Sequence, residues 1–240
     1  MRILLFQFRL DQNVSDHEFG LIVKYSGRAE SDFMRVDATR ESLPLSLLDG
    51  ADALILGGSG DYLLSRGDIP EIRSALRPFL SEARARRIPT LGICFGGQLM
   101  TEAFGGRVEN DEARAEVGTF EVTKTAAGEN DVLFAYLPDT FDVQLGHQDH
   151  FVAIPSGAAL LASSERSPNQ AWVFPGEPMY ALAFHPELDV KGVLYRADYY
   201  GDEYKITPEA RASMAESLRD SPEANEIIRR FLDAFVDKTV

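Results

Sequence analysis

Cysteine is almost missing from this sequence. Its 240 residues contain one, Cys94, so no disulfide can close within the chain, and a reducing, cytoplasmic setting is expected. Tryptophan occurs once and histidine only four times, at positions 17, 147, 150 and 185, which leaves few imidazoles for acid–base or metal chemistry. Positive charge is also scarce. With 24 Lys and Arg against 38 Asp and Glu, the formal charge of −14 repels phosphate backbones and anionic headgroups, so neither nucleic acid nor membrane is an expected partner. No apolar run approaches the length of about 20 residues that a membrane helix needs. Residues 1–8 carry one positive charge, are interrupted by Gln7 and lead to no small-residue cleavage site, so they read as a first strand rather than a signal peptide. Repeats, low-complexity tracts and a clear interdomain linker are not evident.

What is present is the composition of a globular chain, 45% hydrophobic and 26% charged, long enough for one sizeable core. Short apolar runs bounded by turn residues occupy positions 3–8, 33–36, 53–56 and 90–94, as in central strands covered on both faces. Between the last two, Ile72, Leu76, Phe79, Leu80 and Ala83 recur at helical spacing, and Pro78 is expected to kink or divide that helix. The alternation predicts an α/β fold with a doubly wound, mostly parallel central sheet and helices on both faces. After Gly105-Gly106, runs at 118–125, 140–145, 158–163, 171–174 and 179–184 lack long helices between them and read as antiparallel strands, added to the sheet or packed beside it. From Leu188 the chain turns helical and charged. The stripe Ile227, Ile228, Phe231, Leu232 and Phe235 must cover an apolar face, most simply one of the same domain. The expected organisation is a catalytic domain over 1–190 and a helical extension over 191–240 packed on it.

The chemistry concentrates at Gly92-Ile93-Cys94-Phe95-Gly96-Gly97-Gln98, which follows a predicted strand and opens a helix. Glycines two before and two after Cys94 permit the tight turn of a nucleophile elbow. The helix start would aim backbone N–H groups at the sulfur, an arrangement that favours thiolate, and the Phe95 N–H could stabilise an oxyanion. Taken alone, the pattern leaves Cys94 open as either a nucleophile or a small buried hydrophobe. A thiol nucleophile needs a base, and the base needs an orienting acceptor. His185 ends the run Tyr180-Ala181-Leu182-Ala183-Phe184, and Glu187 lies two residues on, where an extended backbone directs both side chains to one side. A histidine at a strand end is often structural, but with the elbow this pair supplies both missing roles. Gly57-Gly58-Ser59-Gly60-Asp61 follows the strand at 53–56, where open α/β sheets bind ligands, and the Gly58 N–H could be the second oxyanion donor. The loop has no Lys-Ser/Thr and no dinucleotide spacing, so a Walker-type site is excluded and no cofactor is implied.

These motifs, together with His147-Gln148-Asp149 and His185-Pro186-Glu187 in that order, resemble the class I glutamine amidotransferases over roughly residues 1–190. The resemblance implies a flavodoxin-like fold and a cysteinyl γ-glutamyl thioester formed at Cys94, with His185 and Glu187 completing the triad and ammonia released. It implies oxyanion donors at Gly58 and Phe95, and a substrate pocket lined by Gly60, Gln98 and the backbone around Gln148 and Asp149. The family usually has histidine where this chain has Gly97, which should loosen the start of the helix and alter packing behind the elbow. The implied partners are glutamine or another γ-glutamyl small molecule and a separate synthetase subunit; homo-oligomerisation stays open.

Three rival readings stand beside it. Water could be the acceptor, as in a stand-alone γ-glutamyl peptidase or hydrolase. His147-Gln148-Asp149-His150 could ligate a metal, as in a zinc hydrolase, but no further His, Cys or Glu-x-x-His signature accompanies it, so no metal is expected. The chain could also be a binding module on the same fold, which would have no physical need for the full Cys, His and Glu set. Whether the stretch from Tyr195 onward approaches the site is not legible from sequence.

Overall fold

The computed structural model describes residues 1–40, 42–201 and 207–237. Five strands form its parallel half, the partly exposed edge strand β2 (Phe33–Asp37) and the buried β1 (Ile3–Gln7), β3 (Ala53–Leu56), β4 (Thr90–Ile93) and β11 (Met179–Leu182), in the order β2-β1-β3-β4-β11. This is the doubly wound order 2-1-3-4-5 with β11 as its fifth strand. The remaining strands are β5 (Arg107–Asn110), β6 (Glu116–Lys124), β7 (Thr140–His147), β8 (Asp149–Ala153), β9 (Ala159–Ser163) and β10 (Ala171–Val173). Four of them extend the sheet beyond β11 in the order β10-β9-β6-β7, and β5 pairs with β8 in a separate ribbon. Period-2 alternation sorts the side chains: Ile3, Leu5 and Ile55 enter the core on one face, Leu4, Phe6, Leu54 and Leu56 the core on the other.

Helices cover both faces. One core receives Ile22 of α1 (Gln12–Ser26), Ala224 of α7 (Pro222–Asn225), and Ile227, Ile228, Phe231 and Leu232 of α8 (Ile227–Phe235). The other receives α2 (Pro70–Ala85) and α3 (Phe95–Ala103). The short α4 (Ala126–Glu129) lies between β6 and β7, and α5 (Val190–Tyr199) and α6 (Pro208–Ser217) follow β11. The apolar stripe on α8 thus lies in the same core as β1, β3 and β4. Positions 202–206 and 238–240 of the C-terminal stretch fall outside the described residues. Among the described residues, no helix is long and apolar enough to cross a membrane.

Two expectations are corrected. The helix through Pro78 is one continuous element, which excludes the division, one of the two outcomes expected at that proline. Pro78 and Ser74, whose carbonyl loses its partner, both face solvent, while Leu76, Phe79, Leu80 and Ala83 stay buried and hold the helix together. The run at 179–184, read as antiparallel, instead pairs parallel with β4 through Met179↔Thr90 to Leu182↔Ile93, and is antiparallel only to β10. All four β11 residues are buried, as in a strand enclosed on both sides; the connection leading to it is a meander rather than a helix, which disguised it in the sequence.

Candidate active site

The site grows from the junction of β4 and α3. Cys94 sits between them at φ 49° and ψ −105°, a left-handed backbone that a residue with a side chain adopts only under constraint. The constraint is visible on both sides. A Cβ on Gly92 would lie 2.6 Å from the Met100 sulfur and 2.8 Å from the Gly97 nitrogen, and one on Gly96 would overlap the Leu56 carbonyl. Only hydrogen side chains let β4, the turn and α3 pack this tightly. Gly97 is packed in the same way: its Cβ would fall 2.5 Å from the Leu182 oxygen and 3.1 Å from Phe151 Cζ. The start of α3 is therefore filled by Phe151 and the β11 backbone rather than loosened.

Cys94 is 2% exposed, His185 4% and Glu187 0%. His185 lies three residues past β11, and Glu187 is brought to it by a turn closed by Leu188 N–H to the His185 carbonyl at 3.3 Å, not by the extended backbone expected from sequence; the His185 amide donates to the Gln144 carbonyl at 2.9 Å. Nδ1 lies 2.8 Å from Glu187 Oε1, which leaves Nε2 as the nitrogen for the Cys94 sulfur, the other group that acts on the ring. Burial opposes an imidazolium, yet Glu187 and the Cys94 sulfur outweigh it, and His185 is pushed up to about 9. Burial likewise opposes charge on Glu187, but His185 and Arg196 override it and hold the carboxyl well below the usual range. A thiol, an imidazole and a carboxylate in this order can move a proton from sulfur to a leaving group while the ring stays oriented.

Arg196 on α5 was not singled out from sequence, yet it completes this arrangement. Its Nη1 donates to Glu187 Oε1 at 3.0 Å and lies 3.2 Å from His185 Nδ1. Two donors thus converge on one carboxylate oxygen. Behind them is a buried Glu18, 0% exposed, which accepts from Arg9 Nη2 at 2.7 Å, Arg9 Nε at 3.2 Å and Gln7 Nε2 at 3.1 Å. Arg9 also donates to the Tyr200 hydroxyl at 3.3 Å, and that hydroxyl donates to Asp61 Oδ2 at 3.1 Å. The available signal for Glu18 was its place in the buried row Val14, Glu18, Ile22 and Ser26 of α1, a carboxylate at an otherwise inward position. Arg196 had no such signal, because its contact is made in space with residues on another element.

The two amides expected to serve an oxyanion differ. Phe95 N–H opens α3 and so has no carbonyl one turn back. Gly58 N–H donates to Glu18 Oε1 at 3.2 Å. Of the expected substrate-pocket residues, Gln98 donates to the Asp149 carbonyl at 3.0 Å, and with Gln148, Ser59 and Tyr62 it borders a small void of about 10 Å³ beside Cys94. The Asp149 carboxylate is held by the Ser65 amide and hydroxyl at 3.0 and 2.6 Å and by Asn110 at 3.1 Å, so it anchors a loop. Gly60 faces Tyr200, whose ring would lie 2.6 Å from a Cβ there. It borders a larger, mainly apolar cavity of about 350 Å³ that also meets His185, His147, Gln148 and Arg196. A cavity of about 970 Å³ near Arg86, Asp131 and Phe235 contains none of these groups.

His147 and His150 do not join the triad. Their rings meet edge to face, with centroids 4.8 Å apart, and His147 Nε2 is 3.5 Å from Glu116 Oε2. Burial drives His147 down to about 3, so it is neutral at any ordinary pH.

Comparison with known proteins gives one matching family model, glutamine amidotransferase class-I, over residues 21–192. The glutamine-hydrolysing GMP synthase of Thermosipho melanesiensis is 42% identical over 103 residues, 42% of this chain and 19% of that protein. One of the subunits of the glutamine-hydrolysing GMP synthase of Methanocaldococcus jannaschii is 33% identical over 126 residues, 52% of this chain and 63% of the relative. The chain thus spans less than two thirds of the length of these relatives. A crystal structure of a glutamine amidotransferase from Thermotoga maritima superposes with a TM-score of 0.76 over 99% of both chains at 24% identity, a likeness of fold. Arg196 and Tyr200 lie beyond the matched family region.

Proposed function

We propose that this chain, which belongs to the glutamine amidotransferase class-I family, hydrolyses glutamine at Cys94 through a covalent γ-glutamyl thioester and releases ammonia to a separate synthetase. The observation that carries the reading is Cys94 on its strained turn, buried with His185, whose Nδ1 is 2.8 Å from Glu187. In this mechanism the Cys94 sulfur attacks the side-chain amide carbon and its proton passes to His185 Nε2. The tetrahedral oxyanion receives the Phe95 N–H, joined by the Gly58 N–H once that amide leaves Glu18. His185 then gives its proton to the departing nitrogen, the carbonyl re-forms as a thioester, and ammonia leaves. Water attacks the thioester, losing its proton to His185, and the C–S bond breaks to yield glutamate and free Cys94. Glu187 orients the ring and stabilises its charged form throughout.

A synthetase as ammonia acceptor is supported by the Methanocaldococcus relative, which is named as one component of a glutamine-hydrolysing GMP synthase. The test is direct. The purified protein is incubated with glutamine, ammonia is measured, and the chain is quenched in acid and weighed by mass spectrometry. The expected result is one γ-glutamyl adduct on the peptide containing Cys94, with turnover reduced about 10⁴-fold or more in Cys94→Ala. Unchanged hydrolysis by that variant would exclude the thioester route. Turnover of γ-glutamyl peptides with glutamine inert would assign water as the acceptor and retain the thiol chemistry.

A further inference from the structure

We propose that Glu116, His147 and His150 form a binding site for one divalent transition-metal ion of the zinc class, beside the substrate cavity and separate from Cys94, His185 and Glu187. The set is assembled by strand pairing. Glu116 on β6 stands directly opposite His147 on β7, and the chain turns at Gln148 to bring His150, on β8, against the His147 ring. One ligand atom from each lies within 4.8 Å of the others, and all three residues are buried, at 0%, 4% and 1% exposure.

Three observations point to an ion rather than to packing alone. First, no nitrogen of either imidazole meets the geometric limits of a hydrogen bond, the nearest polar backbone being that of Asp149 beside His147 and of Asp111 beside His150. Orphaned polar atoms are uncommon in folded interiors, and an ion between two touching rings would satisfy one nitrogen of each. Second, two imidazoles and a carboxylate are the donor set suited to zinc, cobalt or nickel, whereas calcium and magnesium require oxygen ligands. Third, the carboxylate is already braced as a ligand would be: Ser164 Oγ donates to Oε1 and Gln170 Nε2 to Oε2, each at 2.8 Å. His147 borders the cavity of about 350 Å³, the nearest space from which a water molecule would be drawn to the fourth position. Zinc bonds of about 2.0–2.1 Å place tetrahedral donors about 3.4 Å apart, so a gap of up to 4.8 Å must close by about 1.4 Å. Side-chain rotation of two rings that no well-formed hydrogen bond fixes supplies this.

The site is distinct from the reading weighed from sequence, in which Asp149 was a ligand; that carboxylate is taken by Ser65 and Asn110. An ion here touches none of the three groups that carry the thiol chemistry. It holds the turn Gly146-His147-Gln148, which borders both cavities.

The test titrates the full-length, chelator-treated protein with cobalt(II), read by visible absorption, and then with zinc(II). One equivalent of cobalt is expected, with the intense bands of four- or five-coordinate geometry, displaced by one equivalent of zinc. Cys94→Ala should bind equally. Glu116→Gln, which can keep its bonds to Ser164 and Gln170, and His150→Phe, which keeps the ring contact, should each weaken binding about 100-fold or more. Thermal melts establish that each variant is folded; if one is not, the other carries the comparison, and the wild-type and Cys94→Ala titrations need neither. The assignment is overturned if the wild type binds no stoichiometric metal, if both folded variants bind normally, or if Cys94→Ala abolishes binding, which would place the ion on the thiol.

Discussion

Replacing Arg196 by Met isolates what α5 contributes to the cluster of Cys94, His185 and Glu187. The guanidinium is 3.0 Å from the Glu187 oxygen that it attracts and 3.2 Å from the His185 nitrogen whose charged form it repels. At an effective dielectric of about 20, each interaction is worth about 5 kcal/mol before relaxation. The two nearly cancel while His185 is protonated, which leaves the attraction to the buried Glu18 Oε1 at 3.8 Å as the main loss to the fold. They do not cancel in the proton affinity of the ring: without Arg196 the imidazolium keeps Glu187 and loses its repulsion. Neighbouring charges at this range typically move a titration by one to three pH units, so the alkaline arm of the rate profile should rise by about one to two. A more basic ring is a poorer acid toward the leaving nitrogen, and kcat should fall about 10- to 100-fold with KM little changed. Arg196→Lys keeps the charge without the two-pronged geometry and should recover part of the loss. The assay is steady-state ammonia release from glutamine between about pH 6 and pH 10. A Met variant whose pH profile superimposes on that of the wild type would refute the tuning role, whatever its stability.

Other consequences follow from the same geometry. Gly97→Ala gains about 1 kcal/mol in helix propensity, but its Cβ meets the Leu182 backbone at 2.5 Å, and overpacking of about 1–3 kcal/mol should win, lowering the urea midpoint. Gly97→His should be worse, and equal stability would show that α3 and β11 can separate. Glu18→Ala strips a buried carboxylate from Arg9 and should destabilise by about 3–5 kcal/mol, measured by denaturant unfolding; a change below about 1 kcal/mol would mean that water enters and solvates Arg9. His185, raised to about 9 from 6.5, contributes stability that is full below about 6.5 and lost as pH rises through 9. Glu187, lowered from 4.5 to about 2, contributes stability that is full above 4.5 and lost as pH falls through 2. His147, held neutral, acts against the fold as pH drops from 6.5 toward 3. Melting temperature against pH should therefore fall on the alkaline side in the wild type, and His185→Gln should flatten that arm; an unaltered arm would assign it to other groups.

What the sequence determined by itself was local. The turn at Gly92-Ile93-Cys94-Phe95-Gly96 is legible because its glycines are required by contacts within a few residues: Gly92 faces Met100 and Gly97 on the helix that the same motif begins. His185 and Glu187 are legible for the same reason, being two residues apart on one stretch of backbone. The strands β1, β3 and β4 declare themselves as short apolar runs because both of their faces are buried. Interactions between distant segments leave no such spacing. Arg196 reaches Glu187, and Glu18 takes the Gly58 amide, only after the sheet has stacked α1 and α5 beside one another. The direction of β11 depended on which neighbour its backbone met, since an apolar tetrapeptide can pair either way. Glu116 meets His147 because the β6–β7 register sets them opposite; a slip of one residue would turn Glu116 to the other face of the sheet and dissolve the cluster.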